Sequence, residues 1–114
     1  MSRPQLLTEE QVQAVFDTLN ESGDAIGAAR ATMIRTEYKM KRVHARLFRS
    51  STESSVEARK AFATTQEEYI QACEAHAEAE GIWEKLKDER DKAHLLFEAW
   101  RTIQANDRGF RRIG

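Results

Sequence analysis

Between Thr8 and Asn106 the chain contains no proline, and the whole sequence holds only five glycines. Proline costs about 3 kcal/mol inside a helix and glycine about 1 kcal/mol, so few positions in this stretch oppose helix. Apolar residues recur along it at helical spacing, which predicts long helices instead of strands. A chain of 114 residues folded as two helices of about 60 Å each has a thin core, and such a rod gains from a partner.

Helix-start signals place the elements. Thr8 and Gln11 have the spacing of a capping box, and Leu7 with Val12 that of a hydrophobic staple, so the first helix opens at Thr8. The serine-rich stretch Ser50-Ser51-Thr52-Glu53-Ser54-Ser55 should close it and turn the chain. Ser54 with Glu57 and Thr64 with Glu67 predict two further starts. The expected elements are helices over 8–49, 55–63 and 65–106 in a single domain, ended by Asn106 or Gly109 and followed by a basic tail, 107–114. Gly23 and Gly27 could mark a break in the first helix. Continuity is favoured, because the apolar row keeps its phase across them.

That row is Leu19, Ile26, Met33, Met40 and Leu47, at an unbroken spacing of seven, as in a coiled-coil seam. Its companion is read as Phe16, Gly23, Arg30, Glu37 and His44, a mostly polar row. On the last helix Tyr69, Ala72, His76, Ala79, Trp83, Leu86, Arg90, Ala93, Phe97 and Trp100 alternate at spacings of three and four, giving the facing seam. The predicted fold is all-α: a long antiparallel, coiled-coil-like hairpin with a short connecting helix. Ile82, Leu95, Leu96 and Ile103 lie beside the second seam where one facing helix cannot cover them. They are the expected interface of a homodimer or larger assembly, most simply a four-helix bundle.

The net charge of −1 conceals four blocks: residues 1–29, 30–60, 61–98 and 99–114 carry −4, +6, −6 and +3. An antiparallel hairpin sets the basic stretch Arg30–Arg49 beside the acidic stretch Glu67–Glu84, and a complementary pattern selects orientation and register. Lys39, Lys41, Arg42, Arg46 and Arg49 with Tyr38 therefore admit two readings, a nucleic-acid face or an intramolecular charge zipper, and the zipper is favoured. Arg49, Arg59 and Lys60 cluster at the turn, where opposing acids are sparse. Arg108, Phe110, Arg111 and Arg112 combine phosphate-binding cations with a ring able to stack on a base. Their alternative role is to complement the negative end of a helix dipole.

Catalytic signals are thin. Asp91 and His94 have i, i+3 spacing, but the further carboxylates and histidines of a bridged metal site are missing. There is no phosphate-binding loop, nucleophile elbow or Cys-x-x-Cys. The lone Cys73 excludes an intrachain disulfide and suits a reducing compartment. With no apolar run of membrane-span or signal-peptide length, the chain reads as cytoplasmic, with no membrane partner, no cofactor and no catalytic activity.

The segments Glu37-Tyr38-Lys39-Met40-Lys41-Arg42-Val43-His44-Ala45-Arg46-Leu47-Phe48, Glu57-Ala58-Arg59-Lys60-Ala61 and Glu98-Ala99-Trp100-Arg101-Thr102-Ile103-Gln104-Ala105-Asn106-Asp107-Arg108 resemble small all-helical bacteriophage proteins of recombination and replication gene clusters. Those proteins mostly lack an assigned activity, so the resemblance implies a context, in the host cytoplasm, and no mechanism. The expected function is a non-catalytic accessory or adaptor assisting DNA recombination or replication, contacting single-stranded DNA or a protein that handles it. The competing expectation is a protein-interaction module, such as an inhibitor of a host defence system or a structural oligomer.

Overall fold

The computed structural model describes residues 8–113, with side chains described as far as Arg108. The described residues form α1 (Glu9–Ser50), α2 (Val56–Thr65) and α3 (Glu67–Ile113), without a strand among them. The fold is all-α, and two long helices joined through a short one make a helical hairpin. Its contacts divide into two compact units: a turn unit, Ile26–Glu84, and a terminal unit, Met1–Ala25 with Lys85–Gly114.

The first cap forms as the sequence specifies. The Thr8 backbone N–H donates to Gln11 Oε1 at 2.8 Å, and the Gln11 N–H donates to Thr8 Oγ1 at 3.2 Å. These reciprocal bonds satisfy two donors at the helix start. Leu7 of the proposed staple lies outside the described residues.

The next two starts are displaced. Ser55, not Ser54, caps α2: its backbone is extended (φ −103°, ψ 154°) and its hydroxyl accepts from the Ala58 N–H at 3.1 Å. Thr64 does not open α3, because α2 runs on to Thr65 and the Thr64 hydroxyl bonds back to the carbonyls of Lys60 and Ala61. The break is one residue, Gln66, with extended backbone (φ −75°, ψ 139°). Its carbonyl accepts from the N–H groups of Tyr69 and Ile70, while its amide donates to the Phe62 carbonyl at 3.1 Å. The far end is displaced as well. Neither Asn106 nor Gly109 stops α3, which continues to Ile113, so 107–113 is helix and not a tail. No described residue has a positive φ, so the left-handed cap that would end the helix does not form. Each residue added to a helix contributes another hydrogen bond, so α3 propagates past both positions.

α1 passes through Gly23 and Gly27 unbroken. A Cβ at Gly23 would sit 3.7 Å from Arg90 Nη1, an ordinary contact, and one at Gly27 would meet nothing within 4 Å.

The seam itself needs one correction. Leu19, Ile26, Met33 and Met40 are half-buried and Leu47 is buried, but their companions are Val15, Ser22, Ala29, Thr36 and Val43. That row is one residue before the predicted one, and Gly23 and Arg30 of the predicted row are exposed. On α3 every expected seam residue is at least half-buried. They sort into a row of large side chains with polar or aromatic tips (Tyr69, His76, Trp83, Arg90, Phe97) and a smaller row in which Ala72, Ala79 and Ala93 are buried.

In the turn unit, Val43, Leu47, Ala63 of α2 and Ala72 form the core, with Met40, Phe48, Phe62 and Tyr69 packed against it. The His44 and Tyr69 rings meet edge to face at 5.3 Å. Thr36 Oγ1 lies 3.1 Å from His76 Nδ1. The Thr36 hydroxyl has one hydrogen, and the Met33 carbonyl at 2.8 Å and the Thr32 carbonyl at 3.0 Å compete to receive it. Nδ1 is a third partner of the same hydroxyl, donating to its oxygen or accepting its hydrogen according to the ring tautomer. In the terminal unit, Arg90 Nη1 donates to Ser22 Oγ at 2.8 Å. Phe16 meets Phe97 at 5.1 Å and Trp100 at 6.3 Å, both edge to face, and Arg101 lies over the Phe97 ring at 5.9 Å.

Two outcomes test this packing. Gly27→Ala should raise stability by about 0.5–1 kcal/mol in urea denaturation, since the site is helical and open; a loss would mean the backbone is distorted there. Thr36→Val should cost about 1–3 kcal/mol by stranding the His76 ring nitrogen. In a double-mutant cycle most of that cost should vanish when His76 is already replaced by Leu.

Candidate nucleic-acid interface

Between Ile26 and Ser50, α1 carries seven lysines and arginines and one acid, whereas α3 from Glu67 to Glu84 carries six glutamates and no lysine or arginine. The seam decides which of these charges meet. Arg46 flanks it and ion-pairs with Glu68 across the two helices. Lys41 is held by Glu37 of its own helix at 3.1 Å. Arg30, Lys39, Arg42 and Arg49 make no ion pair among the described residues and are exposed. Arg35 donates to Thr32 Oγ1 at 3.2 Å and has no acidic partner among them. Among the described residues the two blocks therefore meet through one close bridge, and most of the basic charge of α1 lies on its outer surface.

The helical period arranges that surface. Arg35, Arg42 and Arg49 recur every seven residues, and Ala31, Tyr38 and Ala45 recur every seven beside them. All six are exposed and face away from the seam. At 1.5 Å per residue, successive arginines stand about 10 Å apart along the axis. Tyr38 is 60% exposed, an unusual setting for a large aromatic. Arg35, Tyr38, Lys39 and Arg42 border an open hollow of about 630 Å³ whose lining residues all belong to α1. A hollow without a wall from another element cannot enclose a small substrate, but an extended polyanion can lie along it. The density of basic charge in the sequence points to Lys39, Lys41, Arg42, Arg46 and Arg49 and not to the more isolated Arg35. The seven-residue recurrence of arginine was the available signal.

The turn residues have other occupations. Arg59 is half-buried, its Nε donates to the Glu53 carbonyl at 2.9 Å, and its guanidinium lies 5.9 Å from the Phe48 ring centroid. It fastens the loop onto the end of α1. Lys60 lies 3.9 Å from Glu57 on its own helix and is exposed. Arg49 belongs to the outer row of α1. Arg108 is exposed on α3, while the side chains of Phe110, Arg111 and Arg112 lie outside the described residues. Ile82, Leu95 and Leu96 are 51%, 71% and 43% exposed, and Ile103 is half-buried.

Among the described residues no three His, Cys, Asp or Glu side chains gather as a metal site, and no helix is long and apolar enough to cross a membrane. Hydrogen bonding with the half-buried Cys73 thiol, then burial, raise the Tyr69 phenol above its ordinary range, which keeps it neutral. No protein-family model, curated protein or solved structure matches the chain.

Proposed function

We propose that this chain is a non-catalytic helical accessory module that contacts single-stranded nucleic acid through the outer face of α1. The observation that carries the reading is the row Arg35, Arg42 and Arg49, without acidic partners among the described residues, flanked by Lys39 and the exposed Tyr38. Cations every seven residues meet phosphates, and a tyrosine among them offers a stacking surface for any base. Arg108, Phe110, Arg111 and Arg112 supply a second basic contact, and Lys60 adds charge on α2. On the resemblance to phage recombination and replication proteins, we read such binding as a part of DNA processing in the host cytoplasm.

Replacing Arg35, Arg42 and Arg49 together with alanine should weaken binding to single-stranded DNA at low salt. Three lost phosphate contacts should lower the slope of log affinity against log salt by about 2. Tyr38→Ala should cost about 1–3 kcal/mol with little change of slope, because stacking releases no counterions. Fluorescence anisotropy with a labelled oligonucleotide reads both. Unmeasurable affinity of the unaltered protein at low salt would instead favour a protein-interaction module, such as an inhibitor of a host defence system.

The exposed Leu95 and Leu96, with Ile103, support a second element of the proposal: two copies associate through this part of α3 into a four-helix bundle, with Ile82 as a further apolar contact on the same helix. Removing such apolar area from water contributes about 25 cal/mol per Å². Leu96→Glu should convert a dimer to a monomer in sedimentation equilibrium; an unaltered protein already monomeric at micromolar concentration would exclude the bundle.

A further inference from the structure

The outer face of α3 in the turn unit mirrors that of α1 with the opposite sign. Glu67, Ile70, Glu74, Ala77, Gly81 and Glu84 follow one another at spacings of three and four, and all are exposed. Glu74 and Glu84 make no ion pair among the described residues. Ala77 and Gly81 leave a low place in this ridge, and a Cβ at Gly81 would meet nothing within 4 Å. Each face lies on the side of its helix away from the seam, so neither can reach the other within one chain.

We infer that the acidic outer face of α3 in one copy receives the basic outer face of α1 in a second copy. The match is one of period as well as charge. Set antiparallel, as α1 and α3 already run within the chain, Arg49 stands opposite Glu67 and Arg42 opposite Glu74, both pairs advancing by seven residues. This nearly repeats the register in which Arg46 meets Glu68 inside the hairpin. Arg35 then falls at Gly81, one turn from Glu84, and Tyr38 falls at the low place between Ala77 and Gly81. Ala45 lies against the exposed Ile70. Small residues let the ridges approach, while the arginine and glutamate rows fix direction and register. The contact is heterologous: each copy that uses its α1 face keeps its α3 face free, so association does not close at two.

Sedimentation velocity at low and high salt tests this, run on the full chain and on Leu96→Glu so that association through the apolar patch is read separately. The weight-average mass of both proteins should grow with concentration at low salt and shrink at high salt. Arg42→Glu alone and Glu74→Arg alone should each abolish that growth, and the two together should restore it, since the reversed charges face one another again. Gly81→Leu, which has open space in a single chain, should block growth without lowering stability in urea. Growth that is absent in the unaltered protein, survives the single reversals or is not rescued by the pair overturns the inference. DNA binding separates it from the reading above: Arg42→Glu should weaken binding whether or not Glu74 is also reversed, whereas Glu74→Arg alone should not.

Discussion

The hairpin depends on how α1 and α3 complement one another in size and polarity along their seam. The large row of α3 ends in groups that need a partner, and the small row of α1 supplies hydroxyls at two of the positions where they arrive. Arg90 meets Ser22, and His76 meets Thr36. A bulkier or wholly apolar residue at either α1 position would leave a half-buried polar group without its partner, which costs more than the bond contributes when made. These polar layers fix which residues stand opposite one another. The apolar layers around Val43, Leu47 and Ala72 supply the burial.

The same layering accounts for the availability of the basic charge. Because the seam is occupied by small and apolar residues, the cations of α1 are displaced onto its flanks and outer surface. A flank residue such as Arg46 can reach across to Glu68. Arg35, Arg42 and Arg49 cannot, since the diameter of their own helix separates them from α3. Charge complementarity between two stretches of sequence thus differs from charge contact, and the helical period decides between them.

Much of the architecture was legible because it rests on local signals. The absence of proline, the Thr8–Gln11 box, the seven-residue row from Leu19 to Leu47 and the whole α3 seam appear in the structure where the sequence places them. The companion row of α1 was not legible. Ser22, Ala29 and Thr36 carry little apolar weight, and Val15 and Val43 sit beside the larger Phe16 and His44. Ser22 and Thr36 are met by Arg90 and His76 on the other helix, which no pattern within α1 reveals. The displaced starts have a similar cause: Ser54 and Ser55 are equivalent caps in isolation, and Thr64 satisfies its hydroxyl within α2 as readily as it would cap α3. The outer arginine row was written plainly in the sequence, but its freedom from acidic partners follows only from knowing which face the seam occupies.

The distribution of the core also orders the assembly of the chain. Val43, Leu47, Ala63 and Ala72 lie close to the turn, so bringing them together closes a short loop, while the Ser22–Arg90 and Phe16–Phe97 contacts close much longer ones. Loop closure becomes costlier with length, though only slowly. Once the turn is formed, each further layer is reached from one already in place and no longer bears the cost of the whole intervening chain. α2 is in this sense the latch of the turn unit, since Ala63 sits within its core and holds together the ends of α1 and α3 that α2 joins.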